Sequence, residues 1–480
     1  LLFFDWIERR PDPLAIDRYL SLRHVPAPLT MFSSIKKLEP ASMFLWEEGR
    51  LAGQSYWRPS ASRLRPYDIE AARDFKDLLT DAVRLRLQSD VPLGVYLSGG
   101  VDSAAVAGLM KVLDDGPRVS YTVGFDYEYD EHPRAQRLAR HLNYEYNPLT
   151  VTQDDFELMP RLTYHLDEPL GDLLGLPAYL LARKAKEKLT VVLTGDGADE
   201  ILNGYFHQRL MVKRQNSDAF LAAPGAAAFL SQAVKAVPAP LLNLFFDYPD
   251  RLGPREKLKL SQAVAKSPAF GSFYEGVTSC FSAQDKAQLC GPDLLDQARS
   301  RPLADEFQAE MDSLADFSLL ARLSLMDIKY HLPFSLIGRL DKLNMAHAVE
   351  TRSPFLDFRV VEMALNLADE GKLNPRRNKE VLRRLIEELY PPQFRERTKQ
   401  AFYMPLIGSY LDRFRQWTAD LLSPESIAGR GLFRWPYVAR QFDLSRRGSM
   451  LASRQLTALA MLELWHRVFV DSAWPPAGIV

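Results

Sequence analysis

The 480-residue sequence holds only two cysteines, Cys280 and Cys290. That excludes a disulfide-dense scaffold, and no CxxC pair is present for a metal or redox site. Both are read as buried structural thiols, with a reducing cytoplasm as the expected compartment. No charge of one sign dominates either. With 60 Lys and Arg against 61 Asp and Glu, the formal net charge is −1, so neither nucleic acid nor an anionic membrane surface is recommended as a partner. Long hydrophobic runs are missing. No apolar stretch approaches the roughly 18–20 residues of a spanning helix, and even LAAPGAAAFLSQAVKAV is broken by Pro224, Gly225, Ser231, Gln232 and Lys235. His24, His165, His207, His331, His347 and His466 form no HExxH or other ligand spacing, and His132 and His141 share one helix, so all are read as structural and no zinc site is expected. The opening LLFFDWIERRPDP lacks the basic start and cleavage site of a signal peptide. Without an initial Met, the chain reads as one entered midway.

What is present is an alternation of short apolar strands and helices. Residues 1–57 read as a helix, PLAIDRYLSL, and two strand-like pieces, SMFLWEEG and GQSYW, with a boundary near 58 in the Pro-, Ser- and Arg-rich WRPSASRLRPYD. From 85 to 205, apolar strands at 93–97, 118–125, 144–150 and 189–195 alternate with helical patterns. This predicts an α/β fold, a parallel sheet with helices on both faces. Residues 206–480 read as mainly helical, with the Ala- and Pro-rich 218–240 as a loop and a loosely held helix.

The stretch VPLGVYLSGGVDSAAVAGLM, residues 91–110, joins the strand Leu93–Leu97 to a helix from Ser103 onward. In an open parallel sheet, ligands bind beyond the carboxyl ends of the strands, where the next helix points its unpaired N–H groups and positive dipole end. Gly99 and Gly100 let the backbone approach an anion closely, Ser98 and Ser103 add hydroxyl donors, and Asp102 offers a hard oxygen ligand for Mg²⁺. No Gly-Lys-Ser/Thr follows, which excludes a Walker loop. Gly-Gly alone is an ordinary turn. The whole string after an apolar strand is read instead as a cradle for pyrophosphate and a metal. A second cluster, VVLTGDGADEILNGY at 191–205, sets Asp196, Asp199 and Glu200 beside Gly195 and Gly197. Carboxylates so crowded are costly unless a cation or proton sits among them. The cluster is expected to form the site's second wall.

The string SGGVDS resembles the pyrophosphate-binding signature of the N-type ATP pyrophosphatases. With it come SYTVGF, DEPLGD and the later Pro177, TGDGADE…GY, MAHAVETRSPFLD (345–357), NKEVLRR (378–384), RTKQAF (397–402) and MLELWHRVF (461–469). In this order, over about residues 85–470, the chain resembles the glutamine-dependent asparagine synthetase family. Residues 1–57 are similar to the end of that family's N-terminal glutaminase domain, and 58–480 to its synthetase domain. Most of the glutaminase domain and its nucleophilic Cys have no counterpart here, so ammonia and not glutamine is the expected nitrogen donor.

The resemblance implies an adenine-nucleotide α-hydrolase-like sheet, with ATP and Mg²⁺ as cofactors. It also implies a reaction in which aspartate's side-chain carboxylate is adenylated, pyrophosphate leaves, and ammonia displaces AMP. By the same resemblance, Ser98, Gly99, Gly100, Asp102 and Ser103 hold pyrophosphate, and Asp102 and Asp199 hold Mg²⁺. Leu97, Val123 and Gly195 line adenine and ribose, Asp196 takes a proton from the attacking amine, and Arg339 and Lys399 neutralise developing phosphate charge.

Three departures bear on the acceptor. Leu173 and Leu174 stand where a Ser is common, Phe334 and Ser335 where acidic residues are common, and Gln400 and Ala401 where basic-Gly is frequent. A more apolar acid is one consequence. Two other readings stay open: an intramolecular amide-forming relative of the β-lactam synthetase or lasso-peptide cyclase type, and a non-catalytic nucleotide-binding paralogue. The expected partners are small molecules, with no nucleic acid and no membrane; a homodimer is compatible with the sequence.

Overall fold

Asp12 caps the first helix, α1 (Pro13–Leu22), its carboxylate accepting from the Leu14 and Ala15 amides at 2.9 and 3.4 Å. Pro13 takes the first helical position, where its missing N–H costs nothing. These are features of a computed structural model that describes residues 1–4, 6–60, 64–127, 130–221, 223–242, 253–374, 377–395 and 404–471. Helix α1 is buried from Ala15 to Ser21 and stitched to distant helices. Tyr19 Oη donates to the Ala458 carbonyl at 2.7 Å. Asp17 lies 2.7 Å from Arg18 and 2.6 Å from Lys286, and Arg18 reaches Glu306 at 2.5 Å. An antiparallel hairpin of β1 (Ser42–Glu47) and β2 (Arg50–Ser55) follows, with Met43, Phe44, Leu45, Trp46 and Leu51 exposed.

The chain then lays down α2 (Ile69–Arg86), β3 (Leu93–Tyr96), α3 (Val101–Leu113), β4 (Arg118–Gly124), α4 (His132–Leu142) and β5 (Tyr144–Thr150). After these come α5 (Met159–Leu166), α6 (Gly175–Ala185), β6 (Val191–Leu193) and α7 (Ala198–Ile201), and much later β7 (Glu350–Arg352). The strands form one parallel sheet in the order β5-β4-β3-β6-β7. On one face, Phe75 and Leu79 of α2, Leu109 of α3 and Leu138 of α4 share a core with Val360 and Leu385 from the helices Phe358–Asn366 and Glu380–Leu389. On the other, α6 lays Leu181 and Ala185 against Tyr121, Val192 and Val349. Cover on both faces is why the strands read as apolar runs.

The α/β expectation holds. From β3 the chain moves outward to β4 and β5, then returns to β6 on the opposite side of β3. The carboxyl ends of β3 and β6 therefore flank a topological switch point, the crevice where such sheets take ligands. Strand β7 was not expected within the helical region. Its three residues, Glu-Thr-Arg, pair with Val191–Leu193 through the backbone alone and carry no strand pattern.

Beyond α7 and α8 (Phe206–Gln215) the chain is mainly helical. The 218–240 stretch, expected as a loop with a loosely held helix, contains the helix Ala226–Ala236 packed on Pro254–Ala265. Helix Leu319–Met326 widens into a π-helical segment, Asp327–Ile337, before resuming at Gly338–Met345. Pro333 inside it has no N–H to give, and the Gly338 amide reaches back five residues to the Pro333 carbonyl. Among the described residues, no helix is long and apolar enough to cross a membrane.

The buried charges under α1 give a direct test. Arg18→Ala removes one partner of a network in which Arg18 is 1% exposed and Asp17 4%. Urea denaturation should show a loss of about 2–3 kcal/mol, from the buried charge-assisted hydrogen bonds of Arg18, while Asp17 keeps Lys286 as its partner; a loss below about 1 kcal/mol would show that the network is solvated.

Candidate active site

The turn from β3 to α3 is stitched internally. Ser103 Oγ accepts from the Ser98 amide at 3.1 Å and lies 2.9 Å from Ser98 Oγ, which in turn accepts from the Gly100 amide at 3.2 Å. Gly99 has φ +73°, and a Cβ there would lie 2.9 Å from Arg134 Cβ. Only glycine fits that backbone at that distance. Gly100 is the N-cap of α3 and, lacking a side chain, gives the first turn no side-chain cap. Leu97 is buried in the core on one face of the sheet, and Val123 packs against the clusters that hold Phe125 and Tyr121.

The second loop, after β6, lies against the first. A Cβ on Gly195 would stand 2.6 Å from the Ser103 nitrogen and 3.0 Å from Asp102 Cβ. Asp102 and Asp199 converge on one cation, the ammonium of Lys379. Its Nζ donates to Asp102 Oδ1 and Oδ2 at 2.6 and 2.7 Å and lies 2.7 Å from Asp199 Oδ1. Lys379 is 1% exposed and sits at φ 55°, just before the helix Glu380–Leu389. Burial alone would lower its pKa, but Asp102 and Asp199 hold it above the ordinary lysine value. Among the described residues no three His, Cys, Asp or Glu side chains gather as a metal cage. Two carboxylates are instead the donor set that Mg²⁺ takes when substrate phosphates supply the rest.

Asp196 is anchored by the residues that directly follow β6 and β7. Thr194 hydrogen-bonds its carboxylate, and Ser353 Oγ donates to its carbonyl. Burial raises its pKa, Thr194 and the Arg339 charge oppose that rise, and Asp102 and Asp199 add to it. Arg339 is buried, and its Nη1 lies 3.3 Å from both carboxylate oxygens of Asp172. Glu200 is fully buried and accepts from Tyr205 Oη at 2.6 Å; burial pushes its carboxyl up to about 8. Behind Asp196 lies a cavity of about 380 Å³, with Thr194, Ile337, Leu340, Ser353 and Leu356 in its wall.

The structure thus brings together Ser98, Gly99, Gly100, Asp102, Ser103, Gly195, Asp196 and Asp199, with Arg339 within electrostatic reach of Asp196. Lys399 lies outside the described residues, as do Gln400 and Ala401. Leu173, expected beside the pocket, turns instead into the hydrophobic core with Leu170 and Leu176. Cys280 and Cys290 are buried free thiols.

Residues 74–467 match the family model described as Asparagine synthase. The chain belongs to the asparagine synthase family. It is 25% identical over 473 residues to glutamine-hydrolyzing asparagine synthetase 1 of Bacillus subtilis strain 168, covering 97% of this chain and 70% of that protein. It is 28% identical over 480 residues to a putative glutamine-hydrolyzing asparagine synthetase of Mycobacterium tuberculosis strain H37Rv, covering 97% and 69%. An amidase of Gibberella zeae, chry2, is 25% identical over 496 residues, covering 92% and 70%.

Within this asparagine synthase framework, Lys379, Asp172, Thr194 and Ser353 are site residues that motif reading left without a role. Lys379 lies in the matching segment NKEVLRR, and a lysine just before an amphipathic helix carries no local sign that it will be buried. Lys379→Met leaves Asp102 and Asp199 facing each other without their cation, and about 3 kcal/mol or more should be lost at pH 7. A lysine whose folded pKa is raised stabilises fully below its unfolded value, about 10.4, and loses that contribution as pH climbs through the folded value. The variant's crowded carboxyls shift the other way. Its deficit against wild type should shrink as pH falls into the carboxylate range, read by urea melts across pH; a constant deficit would contradict the ion cluster.

Glu200 predicts a separate slope. Its carboxyl rises from an ordinary 4.5 to about 8, so the folded state holds the proton more tightly, and stability should decline between those values as pH increases. Glu200→Gln should flatten that part of the profile while preserving the acceptor for Tyr205. An unchanged slope would place the titration elsewhere.

Proposed function

We propose that this chain activates a carboxylate as its acyl-adenylate and transfers it to ammonia, with the side chain of aspartate as the carboxylate and asparagine, AMP and pyrophosphate as products. The observation that carries this reading is the convergence of Asp102, Asp199 and Lys379 beside the N-terminus of α3. A lysine and a pair of oxygen ligands beside a helix N-terminus suit a leaving pyrophosphate with its magnesium. A carboxylate is inert to ammonia because oxide would have to leave; adenylation makes AMP the leaving group.

In this reading the amides of Gly99–Ser103 and the hydroxyls of Ser98 and Ser103 bind the β- and γ-phosphates. Asp102 and Asp199 would hold Mg²⁺, which would offset charge on the phosphates. Leu97, Val123 and Gly195 border the nucleoside. Carboxylate oxygen attacks the α-phosphorus and the bond to pyrophosphate breaks; ammonia then attacks the acyl carbon, the bond to AMP breaks, and Asp196 accepts the proton from the new amide nitrogen. Arg339, with Lys399, steadies the phosphate charge. Residues 1–57 are the end of a glutaminase-type domain in this reading, and 58–480 the synthetase.

Incubation with ATP, Mg²⁺, aspartate and ¹⁵N-ammonium should yield AMP and pyrophosphate in equal amounts and label in the asparagine amide. Asp102→Asn should cut pyrophosphate release by more than tenfold, with its melting temperature close to wild type. ADP and inorganic phosphate as stoichiometric products would overturn the adenylation reading. Pyrophosphate without labelled amide would shift it to an intramolecular amine.

A further inference from the structure

Between the switch point and the end of α1 stands a set of rings that the adenylation chemistry leaves unused. His331, on the π-helical segment, lies 5.6 Å from the His24 ring and meets Tyr205 edge-on at 6.1 Å between ring centres. Phe334 stacks on His24 at 6.5 Å. Tyr205 ties the set to the second loop through Glu200. His24 Nε2 lies 2.6 Å from the Tyr330 carbonyl, while its Nδ1 is buried without a partner. Burial holds His24 near 4 and His331 well below the ordinary histidine value, so both rings are neutral at physiological pH. His331 feels two guanidinium groups, those of Arg339 and Arg23.

Arg23 is unusual in two respects. It ends α1 at φ 68°, where glycine or asparagine is favoured. Its half-buried guanidinium also makes no hydrogen bond or ion pair to any described residue. The corner is fixed by the Cys280 amide donating to the Ser21 carbonyl at 2.7 Å, by Gln455 Nε2 donating to the Cys280 carbonyl at 3.1 Å, and by Lys259 Nζ donating to the Ser279 carbonyl. Lys259 and Arg454 share this corner with Arg23, all three acting on the Cys280 thiol, with Asp285 the acidic group beside them. Asp285 is already engaged by Tyr437 Oη at 2.8 Å and lies 3.6 Å from Arg255, while the other nearby carboxylate, Asp172, is held by Arg339. A half-buried guanidinium with no partner among the described residues presents its fork of donors to an incoming carboxylate.

We propose that Arg23 anchors a second carboxylate of the acceptor, distinct from the one that is activated, and that His24, His331, Phe334 and Tyr205 line the span between them. The acceptor class is a dicarboxylate, aspartate included. This rests on the reading of the chain as a carboxylate-activating synthetase. It also makes the N-terminal segment part of the acceptor site.

The test is Arg23→Gly in the full chain, because glycine removes the guanidinium and suits the left-handed backbone. Its melting temperature should equal or exceed wild type. Calorimetry with aspartate, succinate and the monoacid butyrate, each with and without a non-hydrolysable ATP analogue, needs no turnover. Wild type should bind succinate and aspartate at least tenfold more tightly than butyrate, and Arg23→Gly should erase that preference without changing affinity for the ATP analogue. Unchanged dicarboxylate affinity in the variant overturns the proposal, as does a wild type that binds no dicarboxylate or does not prefer it to butyrate. A wild type that binds succinate through Arg23 yet releases no pyrophosphate from ATP would sink the adenylation reading and leave the subsite standing.

Discussion

One ammonium holds the catalytic crevice in register. Lys379 joins three segments far apart in sequence: the turn after β3 through Asp102, the turn after β6 through Asp199, and the approach to the helix Glu380–Leu389. Its side chain is 2% exposed, against 25% for Asp102 and 20% for Asp199. Desolvating an ammonium costs several kcal/mol unless excellent geometry offsets it, so neither loop can drift without leaving that charge exposed to the penalty. The lysine's reach is itself set by packing. Its amide is bound to the Lys372 carbonyl at 2.5 Å, and the helix that follows ends at Tyr390, whose hydroxyl donates to the Ala104 carbonyl of α3 at 2.7 Å. The core that orients α3 toward the crevice therefore also aims Lys379.

Where local chemistry decides the structure, the sequence was legible. Asp12 and Pro13 mark the start of α1, Asn143 in the left-handed region marks the end of α4, and the apolar runs of β3 to β6 announce a sheet covered on both faces. The two turns after β3 and β6 could be read because glycine, serine and aspartate at a strand end have a backbone meaning before any fold is known. What stayed hidden depends on tertiary closure. Strand β7 exists because Val191–Leu193 offers it a partner, and nothing in Glu-Thr-Arg demands it. The role of Lys379 appears only when two distant carboxylates arrive. Leu173 shows the converse: a departure from a family pattern was read as a change of pocket, but the side chain points into the core, a direction that composition does not encode.

The N-terminal segment illustrates how packing can bind separate functions. Arg18 and Asp17 commit α1 to the helices that carry Lys286 and Glu306, and Tyr19 commits it to the helix Met450–His466. Once the helix is fixed on both sides, its terminus is fixed too. The Arg23 carbonyl accepts from the Gly171 amide at 2.7 Å, beside Asp172 and so beside the Arg339 ion pair. Lys37 adds a further tie, lying 2.5 Å from Glu168 and 4.9 Å from the centre of the Phe334 ring. A segment that contributes no strand to the parallel sheet is thereby held against the residues beside the Arg339 ion pair.

The charges of the crevice nearly balance one another, which is why so many ionisable groups can share it. Glu200, with a pKa near 8, is mostly protonated at neutral pH and contributes little charge. Asp172 and Arg339 cancel as a pair. The remaining cluster of Asp102, Asp199 and Lys379 carries two negative charges against one positive, a small net excess that a lone ammonium can tolerate. A doubly charged cation entering on those carboxylates would turn the excess positive, beside the positive end of the α3 dipole. Asp102 and Asp199 also raise the pKa of Asp196, so the charge state of the pair and the protonation of Asp196 are electrostatically linked. Whatever neutralises the pair without adding negative charge nearby favours the ionised form of Asp196.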